Sequence, residues 1–301
     1  FAPPAKHRTA LLVLPDYPNF FHQFGSLAIA WAALQESDAA GGGGGAVTTN
    51  ASPPSDDVAI FLLSNASLLP TAPFWSPGLS SSPPRLLRAS PPPPPATYER
   101  IVLAQPATES WWWNVWTRDA ADRRPVLSPL VSRLIASLLP STAHTAGRLT
   151  GEAQLADDDT RQQRPFGLVI HRPPTADRRV LNDKALTAAL TPALKASGGP
   201  MKEARLIDLG KLSTREQLAL VRRAGLLVGA HGAGLLWNLF LPSGAPVVEL
   251  LNKANANQYY SNHALWMRRP YAVWQNNDTS AEEPAWEAGV KTTPFRNHVR
   301  A

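Results

Sequence analysis

V-R-R-A-G-L-L-V-G-A-H-G-A-G-L-L-W-N-L-F-L-P-S-G-A-P-V-V-E-L, Val221–Leu250, is the stretch on which the reading of the fold turns. Leu226–Gly229 has the length and apolar character of a buried strand. The turn Gly229–Gly234 follows, with small residues where backbone must bend sharply or approach a neighbour closely. A short helix through Leu241 comes next. Pro246–Leu251 is then a second apolar strand, and it carries one carboxylate, Glu249.

The same alternation extends in both directions. Phe166–Ile170 reads as a strand, and Asn182 caps a helix through Lys195. Ala204–Leu209 is a strand. S-T-R-E, Ser213–Glu216, is a capping box that opens a helix to Ala224, with Gly225 as its stop. Residues 257–268 read as helix and Tyr271–Trp274 as the last strand. Strands joined through helices demand a parallel sheet with right-handed crossovers. Upstream, residues 9–14, 58–63 and 99–104 are short apolar runs with strand character. Residues 19–34 form a mostly buried helix, and 125–140 an amphipathic one with Val126, Leu130, Leu134 and Leu138 on its apolar stripe. Residues 39–55, residues 80–84 and Pro91–Pro95 are low-complexity inserts. The expected organisation is an α/β domain at 1–140, a linker at 141–163 and a Rossmann-like domain at 164–301.

Composition narrows the function. The chain has 301 residues and a formal charge of +6, from 29 Lys plus Arg against 23 Asp plus Glu. A mild positive balance suits an anionic ligand. The basic residues are scattered pairs rather than a dense patch, so no nucleic-acid partner is expected. The absence of cysteine excludes thiol chemistry and cysteine-based zinc sites. No run of about eighteen apolar residues is present, so a membrane enters only through an anchor missing upstream of Phe1. Sequons at Asn50, Asn65 and Asn277 add weak support for a lumenal setting.

In an open parallel sheet, ligands sit beyond the carboxyl ends of the strands. Those ends carry His171 and Arg172, then Leu209–Lys211, then His231, Gly232, Ala233 and Gly234, then Glu249–Asn252. A forked guanidinium, an imidazole, a helix start and a carboxylate on one rim suit a nucleotide diphosphate. Glu249 at that rim has the chemistry to accept ribose hydroxyls. On the turn alone, a tight strand–helix connection without ligand fits equally well; His231 within it favours the ligand. Alone, Arg172 reads equally as a surface residue, and Glu249 as a salt-bridge partner of Lys253 or a nearby arginine. W-W-W-N-V-W, Trp111–Trp116, offers indole faces for sugar stacking at Trp111 and Trp113, or packs a satellite core.

Val221–Leu250 resembles glycosyltransferase family 61, whose members carry a similar H-G-A-G, a following Asn (here Asn238), F-[ML]-P-P-G and V-x-E. R-R-V-L-N, Arg178–Asn182, resembles the family's R-x-[IL]-N element and brings in Arg179 and Asn182 as nucleotide-sugar contacts. N-F-F-H, Asn19–His22, resembles its N-x-[YF]-H element, and weaker similarity reaches F-R-N-H at 295–298. The resemblance implies a GT-B architecture, two Rossmann-like domains facing across a cleft, the second binding a UDP-sugar and the first much of the acceptor. It also implies inverting transfer without an essential metal or other cofactor. Family donors include UDP-GlcNAc, UDP-xylose and UDP-arabinofuranose, with glycan or glycoprotein acceptors that include xylan, in the Golgi or endoplasmic reticulum lumen. The general base is then His22 or Asp16, although His22 at an aromatic helix start also reads as a core histidine. Asn19 joins the acceptor side. So does Ser26, which stands where related members often carry an acid four residues after that histidine. This departure keeps a non-catalytic carbohydrate- or nucleotide-binding module as the alternative. No D-x-D stands at a strand end, and Asp157–Asp159 reads as a solvated linker run.

Overall fold

The computed structural model describes residues 9–13, 20–41, 58–62, 74–75, 79, 85–86, 98, 100–105, 110–113, 119, 121–139, 164–174, 179–252, 257–276 and 296–297. Asp16, Asn19, the expected linker 141–163, the three sequons and Pro91–Pro95 lie outside them. The fold is α/β, built on two parallel sheets. By its contacts the chain divides into two compact units, residues 1–114 with 121–154, and residues 115–120 with 155–301.

The first unit holds β1 (Thr9–Val13), β2 (Val58–Leu62), β3 (Arg85–Leu86) and β4 (Arg100–Ala104), in the spatial order β3-β2-β1-β4. Helix α1 (Phe20–Gly41) packs on β1, on β4 and on α2 (Arg124–Leu138). The stripe that α2 buries is Leu127, Leu130, Val131 and Leu134. Leu130 and Leu134 are buried as expected, whereas Val126 and Leu138 are only half-buried and Leu127 and Val131 take their place. Trp112 lies in a short 3₁₀ turn (Trp111–Trp113) and is buried against Phe21 and Phe24, with ring centroids 5.5 and 5.8 Å away. A Cβ on Gly25 would stand 2.5 Å from the Trp112 ring. Gly25→Ala is therefore expected to cost about 1–3 kcal/mol of stability through overpacking. Urea unfolding measures it, and a parent-like midpoint would show that the indole has room to move.

The second unit contains β5 (Phe166–Ile170), β7 (Glu203–Ile207), β8 (Ala224–Ala230), β9 (Val247–Leu251) and β10 (Tyr271–Gln275). They lie in the order β7-β5-β8-β9-β10, every pair parallel. Helix α3 (Asp183–Ala196) follows β6 (Arg179–Val180) and covers one face, with Leu194 in a core shared with Val169, Leu226, Val228 and Leu250. Helix α4 (Thr214–Val221) opens with the expected capping box, Ser213 accepting from the Glu216 amide and Glu216 from that of Ser213. It ends at Val221, not Ala224, because Ala224–Ala230 is a continuous buried strand. Gly225 is thus not a helix stop. It sits inside β8, where a Cβ would crowd the Met201 side chain.

The expected short helix after the glycine turn is a 3₁₀ helix, Ala233–Phe240. Both α4 and α5 (Tyr259–Trp266) pack against it. Arg222 and Arg269 donate to carbonyls at its carboxyl end, including that of Leu241. These charge-assisted bonds satisfy groups that a helix terminus leaves open. Finally, β6 pairs in parallel with β11 (Arg296–Asn297), which joins the R-R-V-L-N and F-R-N-H segments in one small ladder.

Candidate functional site

Strand order locates the site. The chain runs from β5 outward to β7, then returns to the other side of β5 as β8. The connections therefore diverge between β5 and β8, and the crevice at their carboxyl ends is the topological switch point, where open α/β sheets bind ligands. His171 and Arg172 follow β5 there, and His231 and Gly232 follow β8.

The Gly229–Gly234 turn is built around Arg172. Gly232 has φ +147°, a conformation that L side chains avoid, and a Cβ on it would overlap Arg172 Nη2. The absent side chain lets the guanidinium lie against the turn, where Nη2 donates to the His231 carbonyl at 3.5 Å. Ala233 and Gly234 are half-exposed and form the lip. The 3₁₀ helix starts at Ala233, within this lip.

His231 is buried and oriented from three sides. Its Nδ1 lies 2.5 Å from Glu249 Oε1, and its ring stacks on Tyr259 and meets the edge of Tyr260, at 6.0 and 5.1 Å between centroids. Tyr271 donates its hydroxyl to the other oxygen of Glu249. Burial raises the Tyr271 phenol well above its ordinary range, with the Glu249 charge adding to the shift, so it stays a donor. Burial also pushes Tyr259 up to about 12. Glu249 has no exposed surface and both oxygens are engaged. In this arrangement Glu249, expected from sequence to meet a ribose, holds the His231 ring by Nδ1.

A second imidazole–carboxylate pair stands at the end of β5. His171 Nδ1 is 2.6 Å from Asp183 Oδ2, with side-chain exposures of 30% and 9%. Asp183 was not among the residues expected from sequence, although an acid beside a capping Asn and a few residues beyond a strand-end His is a readable signal. Asn182 does take the N-cap position of α3, without a side-chain cap bond. Arg179 is half-buried on β6. Asn238 is fully buried, and neither of its amide atoms has a hydrogen-bond partner.

In the first unit, His22 lies in the first turn of α1, its ring edge-on to Phe21 at 5.5 Å between centroids. Ser26 is buried and donates its hydroxyl to the His22 carbonyl at 3.3 Å. That bond ties the hydroxyl to the preceding turn of α1. Trp111 is half-buried and carries the Arg123 guanidinium over its ring at 4.9 Å. The Trp113 side chain lies outside the described residues. Among the described residues, no three acidic, cysteine or imidazole side chains gather as a metal-holding group.

Comparison with known proteins places this geometry. The family model described as glycosyltransferase 61 matches residues 69–248. The chain is 34% identical over 104 residues to the EGF domain-specific O-linked N-acetylglucosamine transferase of Drosophila melanogaster, a match covering 35% of this chain and 19% of that protein. It is 32% identical over 124 residues to protein O-linked-mannose beta-1,4-N-acetylglucosaminyltransferase 2 of Bos taurus, covering 38% of this chain and 20% of that protein. The human counterpart of the latter matches to the same extent. The chain thus spans about a fifth of the length of these curated relatives.

Proposed function

Because the chain belongs to the glycosyltransferase 61 family, we propose that it transfers a sugar from a UDP-sugar to a glycan or glycoprotein acceptor, with inversion and without a metal. The observation that carries the reading is the Arg172 guanidinium seated on Gly232 at the switch point, beside His231 held by Glu249. A fixed cation, an imidazole Nε2 and a helix start suit the charge that builds on a departing diphosphate. UDP-GlcNAc, UDP-xylose and UDP-arabinose are the candidate donors; two relatives are named as N-acetylglucosamine transferases, which makes UDP-GlcNAc the first to try. In this reading the two units act as the donor and acceptor domains of a GT-B enzyme in the Golgi or endoplasmic reticulum lumen. The base that takes the acceptor proton is His22 or Asp16.

Calorimetric titration of UDP with and without EDTA tests the donor site. Equal affinity in both is expected. Loss of binding in EDTA would overturn metal independence, and no binding in either would overturn the donor reading. A second reading, a non-catalytic carbohydrate- or nucleotide-binding module, is favoured by the buried Ser26 hydroxyl in the place of the family acid. UDP-sugar hydrolysis without acceptor separates the two, since a binding module releases no UDP.

Arg172→Ala is expected to weaken UDP about ten- to hundredfold while leaving uridine nearly unchanged, because a charge-assisted bond to phosphate is lost. Equal weakening of both ligands would remove Arg172 from the diphosphate.

A further inference from the structure

We propose that His171 is a proton-linked ligand of the donor diphosphate and that Asp183 is its positioning residue; the inference rests on the donor reading above. The Asp183 carboxylate is nearly buried in the first turn of α3 and takes Nδ1 of His171 at 2.6 Å. That bond makes Nδ1 the protonated nitrogen and fixes the ring, as a carboxylate does for a metal-bound or catalytic histidine. Among the described residues Nε2 makes no hydrogen bond, and the ring is partly exposed at the end of β5, next in sequence to Arg172. The backbone of His171 is itself tied to β7 through its amide on the Ile207 carbonyl, so the ring is carried on a rigid strand end.

The chemistry then follows from charge. A neutral imidazole held this way offers a lone pair at Nε2, which repels a phosphate oxygen. An imidazolium offers an N–H there, and it stands between two anions, the Asp183 carboxylate and the diphosphate. The diphosphate therefore selects the protonated ring, and binding takes up a proton wherever the free ring lacks one. Among the described residues, the other charged or titratable groups at these strand ends include Arg172, the His231–Glu249 pair with Tyr259 and Tyr271, and Asp208 with Lys211. Asp208 is already engaged, by the Gly210 amide and the Lys211 ammonium. Among the described residues, His231 has the same Nδ1 arrangement and is the rival that the test must separate.

Calorimetry of UDP and of uridine on the full chain, in two buffers of different ionisation enthalpy near neutral pH, reads the coupling. Uptake of a substantial fraction of one proton is expected with UDP and none with uridine. His171→Gln should bind UDP about ten- to hundredfold more weakly with no uptake, and Asp183→Asn should reduce the uptake. UDP binding to the parent without uptake, or unchanged uptake in His171→Gln, would overturn the proposal, the latter in favour of His231. Absence of any UDP binding by the parent would instead overturn the donor reading beneath it. If His171→Gln fails to fold, the imidazole resonance of His171 in the parent carries the test. It should move toward its protonated position with UDP and not with uridine, and an unmoved resonance overturns the proposal.

Discussion

Gly232→Ala is expected to cripple the donor site, while Gly234→Ala, two residues along in the same G-A-G, is tolerated. At Gly232 the backbone has φ +147° and a Cβ would overlap the Arg172 guanidinium. The substitution adds about 1–3 kcal/mol of backbone strain to the folded state. It also drives Arg172 from its seat, so UDP affinity should fall about ten- to hundredfold, with uridine little affected. At Gly234 a Cβ would meet Ile170 Cδ1 at 3.4 Å, an ordinary contact, and φ is not positive. UDP calorimetry and thermal melting on both variants make the comparison. Equal losses would mean that the turn is merely crowded and that Arg172 does not depend on it.

Acid should destabilise the second unit through His263. The ring is fully buried on α5, and desolvation pushes its pKa from 6.5 down to about 3. The unfolded chain takes up a proton near the ordinary value, whereas the folded one stays neutral. The full stability is therefore present above about pH 6.5. It is lost as pH falls toward about 3, at roughly 1.4 kcal/mol per pH unit inside that window. Urea unfolding near pH 7 and near pH 5 should show a drop on the order of 2 kcal/mol in the parent and a smaller one in His263→Leu. An equal drop in both would assign the acid sensitivity to other groups.

Much of the second unit was legible because its signals are local. The capping box at Ser213–Glu216, the apolar run of β5 and the alternation of strand and helix each depend on a few neighbouring residues. The α4 boundary was misread because Gly225 carries two meanings. A glycine after a helix is a common stop, and a glycine in a strand marks a close approach; Met201, distant in sequence, decides between them. The position of Arg172, His231 and the turn just beyond β5 and β8 is readable from the sequence pattern. The role of Glu249 is not, since its carboxylate looks the same whether it faces a ribose or sits between His231 and Tyr271. Tertiary burial made that choice. The tryptophan run divides in a similar way: Trp112 is packed through Gly25, a contact that no spacing rule within residues 111–116 reveals.

Residues 115–120 belong to the second unit, although the chain on both sides of them belongs to the first. Within this stretch Asp119 donates its amide to Asn262 Oδ1 and accepts from Trp266 Nε1, so both ends of the peptide are stitched to α5. A protease cut at the 154/155 boundary would therefore not release two self-sufficient halves. The downstream fragment would lose a polypeptide strap, exposing two polar side chains that had partners. During synthesis the strap emerges well before the helix that it serves. The second unit thus completes itself around a piece of chain made earlier, and the two units share one folding history.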